Sequence, residues 1–418
     1  MTYSPNLPKA LIDLACIRAN YRLLAQKAGA HAPVVVAAPP AGFFALPPVW
    51  QPLMPVLKAD AYGHGHVQAA LALREEGAAW FASGSVAEAV LLRQGLEAQG
   101  ASQEQAGILS LLGLVEPGDS HLCAVHGIVP LLYDKEQLHL LEGLGSAGGP
   151  LGDTPLPVAV KCNSGMARLG FNEDALPALR ERLKQLPVWP VLAVSHLHSA
   201  DADDGRAKTR EQAGVFARFL AALREDWPDL AASLGNSAGA LLADVISGII
   251  GEHVCRPGLA LYGCNPFYGT RLAPLGQGLA PAMSVCAPII ATRTLAVGEG
   301  IGYGHTYSAP RDMPVGIVGA GYADSYSRSF SGRGALCVAG VRAPVIGRVS
   351  MQMTAVDLSA VCGNLGPIPE PLPEQLRTAW LLGGPHAQGI GPEELAALLG
   401  TIPYEVLCLL GHNTRVYT

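Results

Sequence analysis

Five residues able to carry acid, base or anion-binding chemistry sit at matching points of a repeated pattern. Lys58, Lys161, His196, Asn236 and Arg256 each stand at or just past the end of a short apolar run, in LMPVLK, PVAVK, VLAVSH, AASLGN and HVCR. A lysine at a strand end ordinarily just reaches water along its aliphatic stem. In a desolvated site its pKa falls, and the neutral amine can attack an aldehyde or remove a proton. Lys58 follows a stretch from Ala32 to Leu57 without formal charge and opens KADAYGHGH, which is glycine-rich like a segment that approaches a ligand closely. From position alone, both uses of Lys58 stay open.

The elements that must hold these residues follow from the apolar pattern. Eight runs in the first 265 residues end near Lys58, Ser83, Leu111, Tyr133, Lys161, His196, Leu234 and Arg256. Segments of helical spacing usually follow them, among them VAEAVLLRQGL, DKEQLHLLEGL, DALPALRERLKQL and KTREQAGVFARFLAALRED. Strand and helix alternating eight times predict a (β/α)8 TIM-like barrel over residues 1–275, whose first strand could instead join a second domain. The five polar residues then converge on the carboxyl-end mouth, where barrel enzymes place their chemistry. Residues 276–418 read as a mostly β domain, with runs such as SVCAPIIATRTLAV and ALCVAGVRAPVIGRVSM and one clear helix, PEELAALLG.

Composition excludes some classes of function. Only 15% of the residues are charged and the net charge is −6, so no basic excess is present to neutralise phosphates, and nucleic acid is not an expected partner. Nine cysteines are scattered with no C-x-x-C pair, which fits reduced thiols in a cytoplasmic protein. MTYSPNLPKALIDL has no secretory pattern. The uncharged stretch from Ala32 to Leu57 holds seven prolines, whose missing N–H groups would break a lipid-exposed helix, so no membrane span is expected. The Pro-rich part near residues 33–52 reads as a surface insertion away from the mouth.

VLKADAYGHGH resembles the pyridoxal-phosphate attachment motif of the alanine racemase family. KCNSGMARLGF (161–171), SHLHSAD (195–201), GNSAG (235–239), RPGLALYG (256–263), GYGHTY (302–307), GYAD (321–324), GRVSM (347–351) and TIPYE (401–405) match further blocks of that family in order. Nine collinear blocks across two differently textured halves make chance a poor explanation. The likeness spans nearly the whole chain apart from the Pro-rich insertion.

The resemblance implies a head-to-tail homodimer with shared active sites, interconverting L-alanine and D-alanine with pyridoxal 5′-phosphate for peptidoglycan precursors. Lys58 would hold the cofactor and act as one acid/base, and Tyr303 of the partner chain would act on the opposite face, because racemisation removes a proton from one face and returns it on the other. Arg256 would face the pyridine nitrogen, where a cation opposes ring protonation and curbs side reactions, and His196 would hold Arg256. Tyr62, Asn236, Ser237, the backbone at Gly258 and Leu259, and Tyr404 would bind the phosphate. GNSAG precedes a helix-like stretch, a place for N–H groups to meet an anion, although NSAG is equally an ordinary helix cap. Arg168 would reach the cofactor's phenolic oxygen and the substrate, positioned by Lys161, which many family members carbamylate. Tyr322 and the backbone of Met351 would bind the substrate carboxylate.

Gln352 replaces the family's usual aspartate and Ser350 a common cysteine, which keeps serine or a broader set of amino acids open as substrates. The final LLGHNTRVYT also departs from the family pattern. Two other classes compete. His196-x-His198 with a carbamylated lysine is a feature of dinuclear-metal amidohydrolases, but there the pair precedes the lysine in the chain. Non-catalytic pyridoxal-phosphate carriers resemble the barrel half alone.

Overall fold

The computed structural model describes residues 7–29, 34–35, 46–142, 144, 154–363, 372–385 and 389–418. Most of the Pro-rich stretch near residues 33–52 lies outside them; within it, Val34–Val35 pairs antiparallel with Val49–Trp50. The chain divides into two compact units, Cys16–Ala61 with His66–Ala280, and Met1–Ala15 with Tyr62–Gly65 and Pro281–Thr418.

In the first unit six strands pair in parallel in sequence order: Trp80–Ser83, Gly107–Ser110, Ile128–Leu132, Leu156–Lys161, Val188–Val194 and Ala231–Ser233. Two shorter segments close the ring. Val56 bridges Ala82 and Leu53 bridges Cys255, both in parallel. Met54 N donates to Cys255 O at 2.8 Å, and Val254 N donates to Ala232 O at 2.8 Å, so the last segment joins the first to the seventh. Pro52, Pro55 and Pro257 have no N–H to give, which is why these two segments make bridges instead of long ladders. Most strands are buried along their whole length, as expected of a parallel sheet covered on both faces.

Helices follow the strands, and their starts are written in the sequence. Ser85 accepts a hydrogen bond from Glu88 N at 3.1 Å and Asp134 from Gln137 N at 3.0 Å, satisfying free N–H groups at the starts of Val86–Glu97 and Lys135–His139. The barrel's end is tied down by the buried Asn20, on helix Leu14–Ala28, whose amide donates to Leu261 O at 3.0 Å and Ala280 O at 2.8 Å and accepts from Ala280 N at 2.9 Å. The long, amphipathic segments VAEAVLLRQGL and KTREQAGVFARFLAALRED form Val86–Glu97 and Gly205–Arg224 as their spacing predicts.

The second unit centres on the strand Met283–Leu295, whose inner half alternates buried and half-buried residues. It pairs antiparallel with Lys9–Ile12, Thr378–Leu382 and Met313–Val318. Lys9–Ile12 also pairs in parallel with Thr414–Tyr417, so both chain ends lie in one sheet. Leu295, Ala309, Met313, Val315 and Ile346 form a buried cluster, with Ile301 and Tyr307 packed on it. Those two residues flank the Gly-rich loop bearing Tyr303. PEELAALLG forms Pro392–Leu399, but it is not the sole helix of this half: Pro403–Leu410 follows, with Pro403 in its first turn and Val406, Leu407 and Leu410 buried at helical spacing. Its eight residues are too short a window for the apolar pattern to stand out from a buried strand.

Candidate active site

Lys58 closes the first barrel segment, and the chain then makes a turn that no glycine announces. Ala59, Asp60, Ala61 and Tyr62 all have positive φ, between 51° and 56°, forming one left-handed helical turn. For L-residues each such position costs roughly 1–2 kcal/mol, so the surroundings must hold it. Ala61 N donates to Leu57 O at 2.8 Å. Asp60 Oδ1 takes the His66 N–H at 2.7 Å and lies 2.6 Å from His66 Nδ1. Glu88 accepts from Ala59 N at 3.0 Å through Oε1 and from Gly84 N at 2.9 Å through Oε2.

The other mouth residues gather around a concentration of positive charge. Lys161, at the end of the fifth barrel strand, is buried. Burial first, then the fields of Arg256, Arg168 and Lys58, bring its pKa down to about 8. Arg168 is exposed in the Gly-rich loop that returns to the strand end through Phe171 N, which donates to Lys161 O at 2.8 Å. Arg256 is buried and lowered to about 10 by desolvation. It donates to Ser233 Oγ and Ser195 O, both at 2.5 Å, and faces His196 Nδ1 at 3.5 Å. Burial, followed by Arg256, Lys161, Arg168 and Lys58, lowers His196 to about 3, so it is neutral and an acceptor for Arg256.

Asn236 caps helix Ser237–Leu241 by accepting from Gly239 N at 2.9 Å. Ser237 Oγ accepts from Gly258 N at 3.0 Å and Ala260 N at 3.2 Å, joining the seventh strand's loop to the short helix Leu259–Tyr262. The hydroxyl hydrogen of Ser237 is left to point elsewhere. Lys58, Lys161, Arg168, His196, Asn236, Ser237, Arg256, Gly258 and Leu259 thus all belong to the barrel unit. His198, the other half of the His-x-His pair, is exposed with Nδ1 2.7 Å from Ser199 Oγ. Among the described residues no group of three or more His, Cys, Asp or Glu side chains is placed to hold a metal ion.

Tyr62, Tyr303, Tyr322, Met351 and Tyr404 belong to the other unit. Tyr62 is buried against Tyr404, with ring centroids 5.7 Å apart, and burial, Tyr404 and Cys408 push its phenol well above the usual range. The pair is set by two glycines in backbone contact: a Cβ on Gly63 would meet Leu407 O at 2.7 Å, and one on Gly411 would meet Gly63 O at 2.3 Å. Tyr303 is 64% exposed at the tip of its loop, between Gly302 and Gly304 at φ 74° and 72°, with the Arg328 guanidinium 6.0 Å from its ring centre. Tyr322 and Met351 lie on adjoining turns, Tyr322 N donating to Ser350 O at 3.1 Å and Ala323 N to Met351 O at 2.8 Å. Gln352 is exposed on the same turn.

Sequence reasoning passed over Glu88, Asp60 and Arg328. Ser85-x-x-Glu88 is a readable helix-start signature, whereas nothing local marks where its carboxylate goes. Arg328 gave no signal beyond being an arginine.

These features define an α/β-barrel protein with a second, mostly β unit, in which Lys58, Lys161, Arg168 and Arg256 act on one another at the barrel's strand ends. Two family models match the chain, "Alanine racemase, N-terminal domain" over residues 45–266 and "Alanine racemase, C-terminal domain" over residues 282–417. An alanine racemase of Nitratidesulfovibrio vulgaris (strain Miyazaki F) is 46% identical over 365 residues, 87% of this chain and 91% of that one. The crystal structure of the biosynthetic alanine racemase from Pseudomonas aeruginosa is 33% identical, superposes with a TM-score of 0.73 and covers 99% of both chains. An alanine racemase from Bartonella henselae with covalently bound pyridoxal phosphate is 26% identical, with a TM-score of 0.76 over 99% of this chain and 100% of that one. The chain belongs to the alanine racemase family.

Proposed function

We propose that this chain interconverts L-alanine and D-alanine with pyridoxal 5′-phosphate held at Lys58, using Lys58 and Tyr303 as acid/base groups on opposite faces of the substrate. The observation that carries the proposal is that Lys58, on its strained turn, acts together with Arg168 and Arg256 on one buried lysine, Lys161, whose pKa their fields lower. That donor set fits an anion bearing a phosphate and a phenolic oxygen. When bound, the cofactor supplies an aldehyde for covalent capture of amines and a ring that draws electrons from the substrate's α-carbon.

Each residue of the chain has a separate task. A bound cofactor's phosphate would be held by the Ser237 hydroxyl, the backbone around Gly258 and Leu259 and the Asn236 turn, with the phenols of Tyr62 and Tyr404 given the same role by the family relationship alone. Arg256, fixed by Ser195, Ser233 and neutral His196, would turn its positive charge to the ring nitrogen of a bound cofactor and oppose protonation there. Lys161, with a pKa near 8, has a neutral amine fraction that adds carbon dioxide, losing one proton and becoming a carbamate anion that pairs with Arg168.

Tyr303, Tyr322, Met351 and Met353 are 64%, 40%, 57% and 48% exposed on converging turns of the β unit. Apolar groups so displayed suit a symmetric homodimer in which Tyr303, Tyr322 and the Met351 backbone serve the partner's barrel, with the carboxylate of the substrate as their ligand. A cytoplasmic location, and a part in supplying D-alanine for peptidoglycan, are supported by the nine free thiols and the family relationship. Among the described residues no helix is long and apolar enough to cross a membrane.

The test is a chiral assay of purified protein with pyridoxal phosphate and either L-alanine or L-serine, alongside sedimentation. D-alanine from L-alanine, loss of the product in Lys58→Ala, and a dimer are expected. Inactivity toward both substrates, or full activity in a monomer, contradicts the proposal.

A further inference from the structure

We propose that Glu88 is a positioning residue for Lys58, clamping the left-handed turn that aims the lysine into the barrel mouth. The inference rests on Lys58 being the cofactor lysine. Four consecutive non-glycine residues with positive φ would relax if nothing held them, and relaxation would carry the Lys58 backbone with it. Glu88 grips the turn at its first peptide: Oε1 accepts the N–H of Ala59 at 3.0 Å, while Oε2 accepts the N–H of Gly84, on the neighbouring strand's loop, at 2.9 Å. One carboxylate therefore staples the ends of the first and second barrel strands together directly beneath the lysine.

Three features mark this as more than a helix cap. In a capping box the N3 glutamate turns back to the N–H of its own cap residue. Here the serine half is kept, with Glu88 N donating to Ser85 Oγ at 3.1 Å, but the carboxylate is directed instead to Gly84 and Ala59. Gly84 is also the residue that makes room: a Cβ there would lie 2.3 Å from Glu88 Oε2 and 3.4 Å from the Lys58 Cβ. Finally, Glu88 stands in the first turn of helix Val86–Glu97, where the helix start favours an acceptor carboxylate.

Ser85→Ala provides the control, since it weakens the same helix start without touching the Lys58 turn. Holoenzymes of wild type, Glu88→Ala, Glu88→Gln and Ser85→Ala are compared for thermal midpoint and for the rate at which bound cofactor is lost to semicarbazide, followed by absorbance. Loss of two charge-assisted hydrogen bonds should speed cofactor release about tenfold or more in Glu88→Ala. Ser85→Ala should lower the midpoint comparably and leave the release rate at the wild-type value. Glu88→Gln, whose amide oxygen can replace only one acceptor, should fall between and also covers the case in which Glu88→Ala does not fold. Equal release rates in Glu88→Gln and Ser85→Ala overturn the assignment. Borohydride reduction and peptide mass mapping of the wild type separate the two claims: cofactor fixed on a residue other than Lys58 ends the underlying reading, whatever Glu88 does.

Discussion

The guanidinium of Arg256 stands 3.5 Å from Nδ1 of His196, and the imidazole beside it has its pKa lowered from 6.5 to about 3. Burial is the main cause, with the four neighbouring cations adding to it. Between pH 3 and 6.5 the unfolded chain binds a proton at this histidine that the folded chain refuses. Stability from this residue is therefore lost as the pH falls from 6.5 toward 3. His196→Gln keeps an acceptor for Arg256 but cannot titrate, so its urea stability should depend less steeply on pH in that window. An unchanged slope would contradict the neutral assignment.

Lys161 gives the opposite end of the pH scale. Its folded pKa of about 8 lies below the ordinary 10.5, so between these values the unfolded state holds more protons and stability rises with pH. Below about pH 8 the folded protein carries the full cost of a buried ammonium among cations. In carbon-dioxide-free buffer Lys161→Met should raise stability at neutral pH, by about 3 kcal/mol at most, and remove the alkaline rise. Added bicarbonate should stabilise the wild type near pH 8 and leave Lys161→Met unaffected, as read by denaturant titration.

Gly411 presses on Gly63, and the added methyl of Gly411→Ala would sit 2.3 Å from a carbonyl oxygen that has no side-chain freedom to yield. A cost of roughly 1–3 kcal/mol is expected, as for overpacked core positions. Because the same contact seats helix Pro403–Leu410, which bears Tyr404, the variant should also bind pyridoxal phosphate more weakly. Equilibrium dialysis of the cofactor, together with the thermal midpoint, measures both effects.

Tyr303 should separate stability from catalysis. It is exposed, and the Arg328 guanidinium lies 6.0 Å from its ring centre. Tyr303→Phe should change unfolding free energy by less than about 0.5 kcal/mol. Removing a positioned acid/base should lower kcat for racemisation by roughly a hundredfold or more. A variant with wild-type kcat would remove Tyr303 from the chemistry.

Much of this organisation is legible in the sequence. The eight-fold alternation located the barrel, and the strand-end positions of Lys161, His196, Asn236 and Arg256 located its mouth, because strand ends and chemistry coincide in this architecture. The left-handed turn after Lys58 was not legible: residues 59–62 contain no glycine, and the turn is held by Asp60 on the nearby His66 and by Glu88, which lies 29 residues from Ala59. The sheet joining Lys9–Ile12 to Thr414–Tyr417 was equally hidden, since two short strands at opposite ends of the chain bear no local mark of their pairing. Helix Pro403–Leu410 escaped because a short apolar run suits strand and helix alike.

The most direct test of two-base racemisation at Lys58 and Tyr303 is incubation of the holoenzyme with L-alanine in heavy water, following α-proton exchange by NMR and D-alanine by chiral assay. Wild type should show both exchange and inversion, Lys58→Ala neither, and Tyr303→Phe exchange of the L-enantiomer with its inversion suppressed or the reverse pairing of faces. Inversion at the wild-type rate in either variant would contradict the account.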